Sequence, residues 1–94
     1  MRGLYTQKAV DGLILQYGND KDFNIYKIDG CLLDSYIITS EKYKTAIIKE
    51  VYLNEWSSAY SVVFYNKTPL KYQKIIDLLE SENYEKASKL FYAK

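Results

Sequence analysis

Asp20 with Asp22, and Glu80 with Glu82, are the carboxylates spaced closely enough in the chain to share acid and base roles at one reacting group. Both pairs sit where the sequence reads as a turn or a helix end, and carboxylates at such places serve solvation. The stretch Asp20-Lys21-Asp22-Phe23-Asn24 opens like a calcium loop, but its sixth position is Ile25 where glycine is needed. Its twelfth is Cys31 where a bidentate glutamate is needed, so the pattern fails. Cys31 is the single cysteine and adjoins Leu32 and Leu33, the setting of a small packed hydrophobe. The 94 residues contain no histidine, which removes Ser-His-Asp and Cys-His catalysis and the helical His-Glu-x-x-His zinc site. Gly3, Gly12, Gly18 and Gly30 never cluster into a phosphate-cradling loop. The expectation is a chain that is no enzyme and takes neither cofactor nor metal.

Two residue sets point to binding instead. Trp56, Tyr60 and Tyr65, with Asn54, Ser57 and Ser58 nearby, are the residue types of protein-contact surfaces, where aromatics bring large area with few rotamers to freeze. Trp56 lies in an inferred loop and is the contact residue most expected to be exposed, whereas Phe64 is expected to face the core. The second set is Lys67, Lys71 and Lys74 around a helix start, where a dipole attracts anions and lysines can meet phosphate. A single arginine equips the chain poorly for bidentate recognition of phosphate or bases. With 13 basic and 12 acidic side chains the net charge is +1, which matches neither a general DNA coat nor an acidic mimic.

These residues must be positioned by a small fold. The length supports one core, and an apolar fraction of 48% with 27% charged residues is that of a globular domain. Asp11-Gly12 and Asp29-Gly30 are each flanked by aliphatic residues, the chemistry of two-residue hairpin turns. They predict one hairpin from 4–10 and 13–17 and a second from 23–28 and 31–39, with Gly18-Asn19-Asp20 turning between them. The first has a competitor, a helix capped by Thr6 with Val10, Leu13, Ile14 and Tyr17 on one stripe. Gly12 would cost that helix about 0.5–1 kcal/mol, which favours the hairpin. Segments 45–53 and 59–65, rich in β-branched and aromatic residues, predict two further strands joined by a 54–58 loop. Thr68-Pro69 then starts a helix carrying Tyr72, Ile75, Ile76 and Leu79, and after a break at 81–83 a second helix carries Tyr84, Ala87, Leu90 and Phe91.

The predicted architecture is a single α+β domain over residues 1–94. An antiparallel sheet of four to six strands spans 4–65, and a helical hairpin over 69–92 packs on one of its faces. Without a disulfide framework, and with no apolar run near the ~20 residues of a membrane span, the chain is expected in the cytoplasm and off the membrane. Lys, Ile, Asn and Tyr far outnumber Ala, Gly, Pro and Arg, the usage of an A/T-rich genome such as a low-GC bacterium, its phages or its plasmids. The function expected is a small accessory or inhibitor domain that binds another protein, from a mobile element of such a host. The alternative is a nucleic-acid-binding module that uses strand aromatics and the C-terminal lysines. A homodimer through an edge strand is compatible with either.

Overall fold

The computed structural model describes residues 4–93 of the chain. The element order is β1 (Leu4–Tyr5), α1 (Gln7–Tyr17), β2 (Asn24–Ile28), β3 (Ser35–Thr39), β4 (Thr45–Asn54), β5 (Ser57–Tyr65), α2 (Leu70–Glu80) and α3 (Tyr84–Tyr92). The five strands form one antiparallel sheet in the order β1-β5-β4-β3-β2. Strands β2 to β5 form a meander; β1 lies beside β5, and α1 crosses one sheet face to reach β2 at the far edge. The α+β class and the C-terminal helix pair agree with the sequence reading.

The predicted hairpin over 4–17 is replaced by α1. Thr6 accepts from the Ala9 N–H at 3.2 Å as its N-cap, and Val10 and Tyr17 are buried on the stripe that Leu13 and Ile14 share. Burying two such side chains gains about 1.5–3 kcal/mol each, which exceeds the cost of Gly12 in mid-helix. The second Asp-Gly pair also makes no tight turn. β3 starts at Ser35 instead of 31, and residues 29–34 form a loop between Ile28 and its partner Ser35. The two Asp-Gly pairs, each preceded by a β-branched residue, therefore end in a helix in one case and in a loop in the other.

The sheet divides two cores. Ile38, Ala46, Ile48 and Tyr60 pack under α1 with Val10 and Tyr17, whose hydroxyl donates to the Lys44 carbonyl. On the opposite face Ile28, Ile37 and Ile47 pack beneath Ile75, Ile76 and Leu79 of α2 and Ala87 and Phe91 of α3. The C-terminal pair lies on one face as expected, and α1 adds a third layer on the other. Helix α2 begins one residue later than Thr68-Pro69 suggests: Pro69 takes the cap position and Thr68 is hydrogen-bonded to Thr45, 2.9 Å between hydroxyls. It ends in a reverse turn in which the Glu82 N–H donates to Leu79 and the Asn83 N–H to Leu78. Glu82 there adopts φ 62°, the left-handed region usually given to glycine.

Candidate binding surface at the end of the β4–β5 ribbon

Strands β4 and β5 outrun their neighbours. The β3 register with β4 reaches Tyr36↔Ile48 and the β1 register with β5 reaches Tyr5↔Tyr60, so residues 51–58 extend as a two-stranded ribbon flanked by neither strand. Four residues of strand span about 13 Å. The turn is tighter than the predicted 54–58 loop: Asn54 pairs with Ser57, leaving Glu55 and Trp56 at the tip, and Leu53 is the extra residue of a bulge. Asn54 shapes the turn by accepting from the Trp56 N–H at 2.8 Å.

The ribbon carries apolar side chains that no layer covers. Trp56 is 86% exposed, with Tyr52 at 56% and Leu53 at 52%. The 29–34 loop brings Leu32, also exposed, to the same end of the sheet. Cys31 is exposed beside Tyr52, and its side chain is the largest contributor to a Tyr52 pKa pushed up to about 12. Solvent-exposed aromatics and leucines gathered at one end are the composition of a contact patch, because covering them releases apolar surface from water.

Glu50 fixes this loop to the ribbon. Its buried carboxylate accepts from the backbone N–H groups of Cys31, Leu32 and Leu33 at 2.9, 2.9 and 2.7 Å, and from the Ser58 hydroxyl at 3.0 Å. Its own N–H donates to Ser35 Oγ at 2.8 Å. Burial pushes the carboxyl pKa up, but these donors outweigh it and hold the group below the usual glutamate value. The donors satisfy a buried anion that would otherwise be costly.

The sequence-derived contact set separates in space. Trp56 and Asn54 are exposed on the tip and Ser57 is half-buried beside them. Tyr60 is not a surface residue: it is 1% exposed beneath α1, its hydroxyl donating to Gln7 Oε1 at 3.0 Å, and burial raises its pKa to about 12. Tyr65 is half-buried on the other face against Tyr72, ring centroids 6.0 Å apart. Phe64, expected in the core, is 42% exposed at the open margin of α1. Of the three lysines, Lys67 is exposed in the connection before α2. Lys71 lies over the Tyr72 ring at 5.7 Å, and Lys74 borders a shallow cleft with Asp77, Ser81 and Lys86. Tyr52, Leu53, Leu32, Lys49 and Glu50 were not singled out by sequence. The charged pair Lys49-Glu50, interrupting an otherwise apolar strand, was the available signal.

Among the acid–base candidates, Asp20 ties two turns together. Asp20 accepts from Ser40 Oγ and from the N–H groups of Asp22, Glu41 and Lys42, joining the turn after α1 to the β3–β4 turn. Glu80 and Glu82 are exposed at the end of α2. Among the described residues no three His, Cys, Asp or Glu side chains converge on a metal position, and no helix is long and apolar enough to cross a membrane. No family model, curated protein or solved structure matches the chain.

Proposed function

We propose that the chain is a small non-enzymatic protein-binding domain of the accessory or inhibitor kind, which docks its partner with the end of the β4–β5 ribbon. The observation that carries this reading is Trp56, 86% exposed at the tip of a ribbon that extends past its neighbouring strands, with Tyr52 and Leu53 beside it. Trp and Tyr near the centre of an interface supply most of its binding energy when they enter a pocket on the partner. The lysines of the nucleic-acid alternative face different surroundings, and buried Tyr60 is lost to base stacking, so that alternative has less support. A/T-rich residue usage supports an origin in a mobile element of a low-GC bacterium, and the lone cysteine a reducing cytoplasm.

The test compares affinity capture from a low-GC bacterial lysate by the tagged wild type, by Trp56→Ala and by Tyr52→Ala/Trp56→Ala, with nuclease present. The expected result is a stoichiometric protein held by the wild type and lost with the double variant, the circular dichroism spectra being alike. Capture that is unchanged in the double variant overturns the assignment of this surface.

A further inference from the structure

Helices α2 and α3 cover the β2–β4 part of their sheet face, over Ile28, Ile37 and Ile47, and leave the β5 part open. Beside Tyr65 on this side, Val63 is 43% exposed and Ala59 and Ser61 are only half-buried. The register sets Lys49 opposite Ser61 and Val51 opposite Ala59, so these residues form one strip beside the helices.

The strip is edged by two cations. The Lys49 ammonium stands 5.8 Å from the centre of the Phe91 ring and 5.6 Å from that of Tyr92. The Lys71 ammonium stands 5.7 Å from Tyr72, whose ring is 6.1 Å from Phe91. One aromatic wall thus carries both charges. The ion pairs among the described residues are Lys27 with Asp34 at 3.4 Å and Lys89 with Glu85 at 3.3 Å, both away from this wall. Among the described residues neither Lys49 nor Lys71 has a carboxylate within 4.0 Å. Burial and the Lys71 charge both lower the Lys49 pKa, as expected of a half-buried cation facing a second one. Ring faces attract a cation without neutralising it, so the pair stays open to an anion.

We infer that this strip of β4 and β5, between Lys49 and Lys71, seats an acidic segment of the partner protein, its carboxylates meeting the two ammonium groups and its apolar side chains lying on Ala59, Val63 and Val51. The identity of the occupant as protein rests on the proposed function; its acidic chemistry rests on charge complementarity at these two lysines. A nucleic acid is less well matched, because stacking needs free ring faces. Phe91 is buried, and the rings of Tyr72 and Tyr92 are engaged by Phe91 and by the lysines. The strip reaches Val51, where the ribbon that carries Trp56 at its tip begins, so a partner seated there lies next to the proposed contact surface.

A random-peptide display selection tests the inference on the full chain, run in parallel on the wild type, Lys71→Glu, Lys49→Met and Trp56→Ala. Lys71 is exposed, so its reversal leaves the fold intact, and methionine at 49 keeps the packing on Phe91 and Tyr92. The wild type is expected to enrich peptides rich in Asp and Glu next to aliphatic residues, bound about fivefold more weakly by either lysine variant. Enrichment without acidic residues, equal binding by the lysine variants, or displacement of the peptides by an oligo-dT strand overturns the inference. Peptides lost with Trp56→Ala but not with Lys71→Glu overturn it while leaving the proposed function standing. Acidic peptides lost with Lys71→Glu but not with Trp56→Ala support it and count against Trp56 as the anchor. A selection that enriches nothing overturns it, and the proposed function is then decided by the capture experiment alone.

Discussion

Gly30 packs so closely on the Glu50 carboxylate that a Cβ at position 30 would overlap Glu50 Oε1 and the Leu33 carbonyl oxygen. The constraint is close approach, with backbone on one side and a hydrogen-bonded carboxylate on the other, so neither neighbour can give way cheaply. Gly30→Ala is expected to destabilise the fold by about 1–3 kcal/mol, the usual cost of forced overpacking. Urea unfolding measures it, and an unchanged midpoint would contradict the packing of the 29–34 loop.

Removal of the Glu50 carboxylate should be at least as damaging, because Cys31, Leu32 and Leu33 would lose their common acceptor. Glu50→Ala is expected to cost about 2–3 kcal/mol. The acid limb of stability has a definite sign. With the folded pKa below the unfolded one, the Glu50 contribution is full above the ordinary glutamate value and fades as pH falls through the folded value. Asp20, held low by Ser40 first and then by backbone N–H groups against a smaller effect of burial, acts in the same direction. Glu50→Gln should therefore flatten, without abolishing, the fall in urea midpoint between neutral pH and about pH 3.

At the alkaline end the sign reverses. Tyr60 and Tyr52 both have pKa values near 12, Tyr60 through burial and Tyr52 chiefly through the Cys31 side chain. The Tyr60 contribution is full below the ordinary tyrosine value of 10.0 and is lost as pH rises toward about 12. Absorbance titration at alkaline pH should show a late-ionising fraction that shrinks in Tyr52→Phe and in Tyr60→Phe. Titration of all eleven tyrosines in one step near their ordinary value would refute this.

Two substitutions, one within α1 and one at its cap, test the helix against the hairpin. A Cβ at Gly12 meets nothing within 4 Å, so Gly12→Ala is expected to stabilise the helix by about 0.5–1 kcal/mol. In a type I′ turn the same change would destabilise. Thr6→Ala removes the cap to Ala9 and is expected to cost about 1 kcal/mol. Thermal melts of both variants suffice.

Glu82 holds a left-handed backbone at the α2–α3 turn, where glycine has no steric penalty. Glu82→Gly is expected to raise stability by about 0.5 kcal/mol, the relief of strain being partly offset by the entropy of a freer unfolded chain. A lowered melting temperature would argue against that conformation.

The parts legible in sequence were those decided by local pattern. Ile75, Ile76 and Leu79 after Pro69 spelled α2, and the β-branched runs of β4 and β5 spelled their pairing. Residues whose state depends on distant partners were not legible. Asp29-Gly30 reads as a hairpin turn until Glu50, twenty positions on, takes the N–H groups that follow it. Asp11-Gly12 reads the same way until the sheet face bearing Ile38, Ile48 and Tyr60 requires a cover. The same cover decides the fates of two aromatics of β5: α1 buries Tyr60 and leaves Phe64 at its margin, a difference that the strand's own residues do not carry. Trp56 was legible as exposed because turn polarity alone predicts it, whereas Lys49 and Lys71 come to one aromatic wall only because Tyr72 of α2 packs on Phe91 of α3.

The placement of β1 has a temporal consequence. Tyr5 pairs with Tyr60, so its partner is translated about 55 residues later, an interval of roughly 3–11 s at ribosomal speeds of ~5–20 residues per second. During that time Val10 and Tyr17, which end in the core, have no β4 or β5 to cover. The nascent segment waits with its apolar stripe bare until β5 follows, so α1 docks well after it is made, and this stretch is exposed to misassembly during that interval.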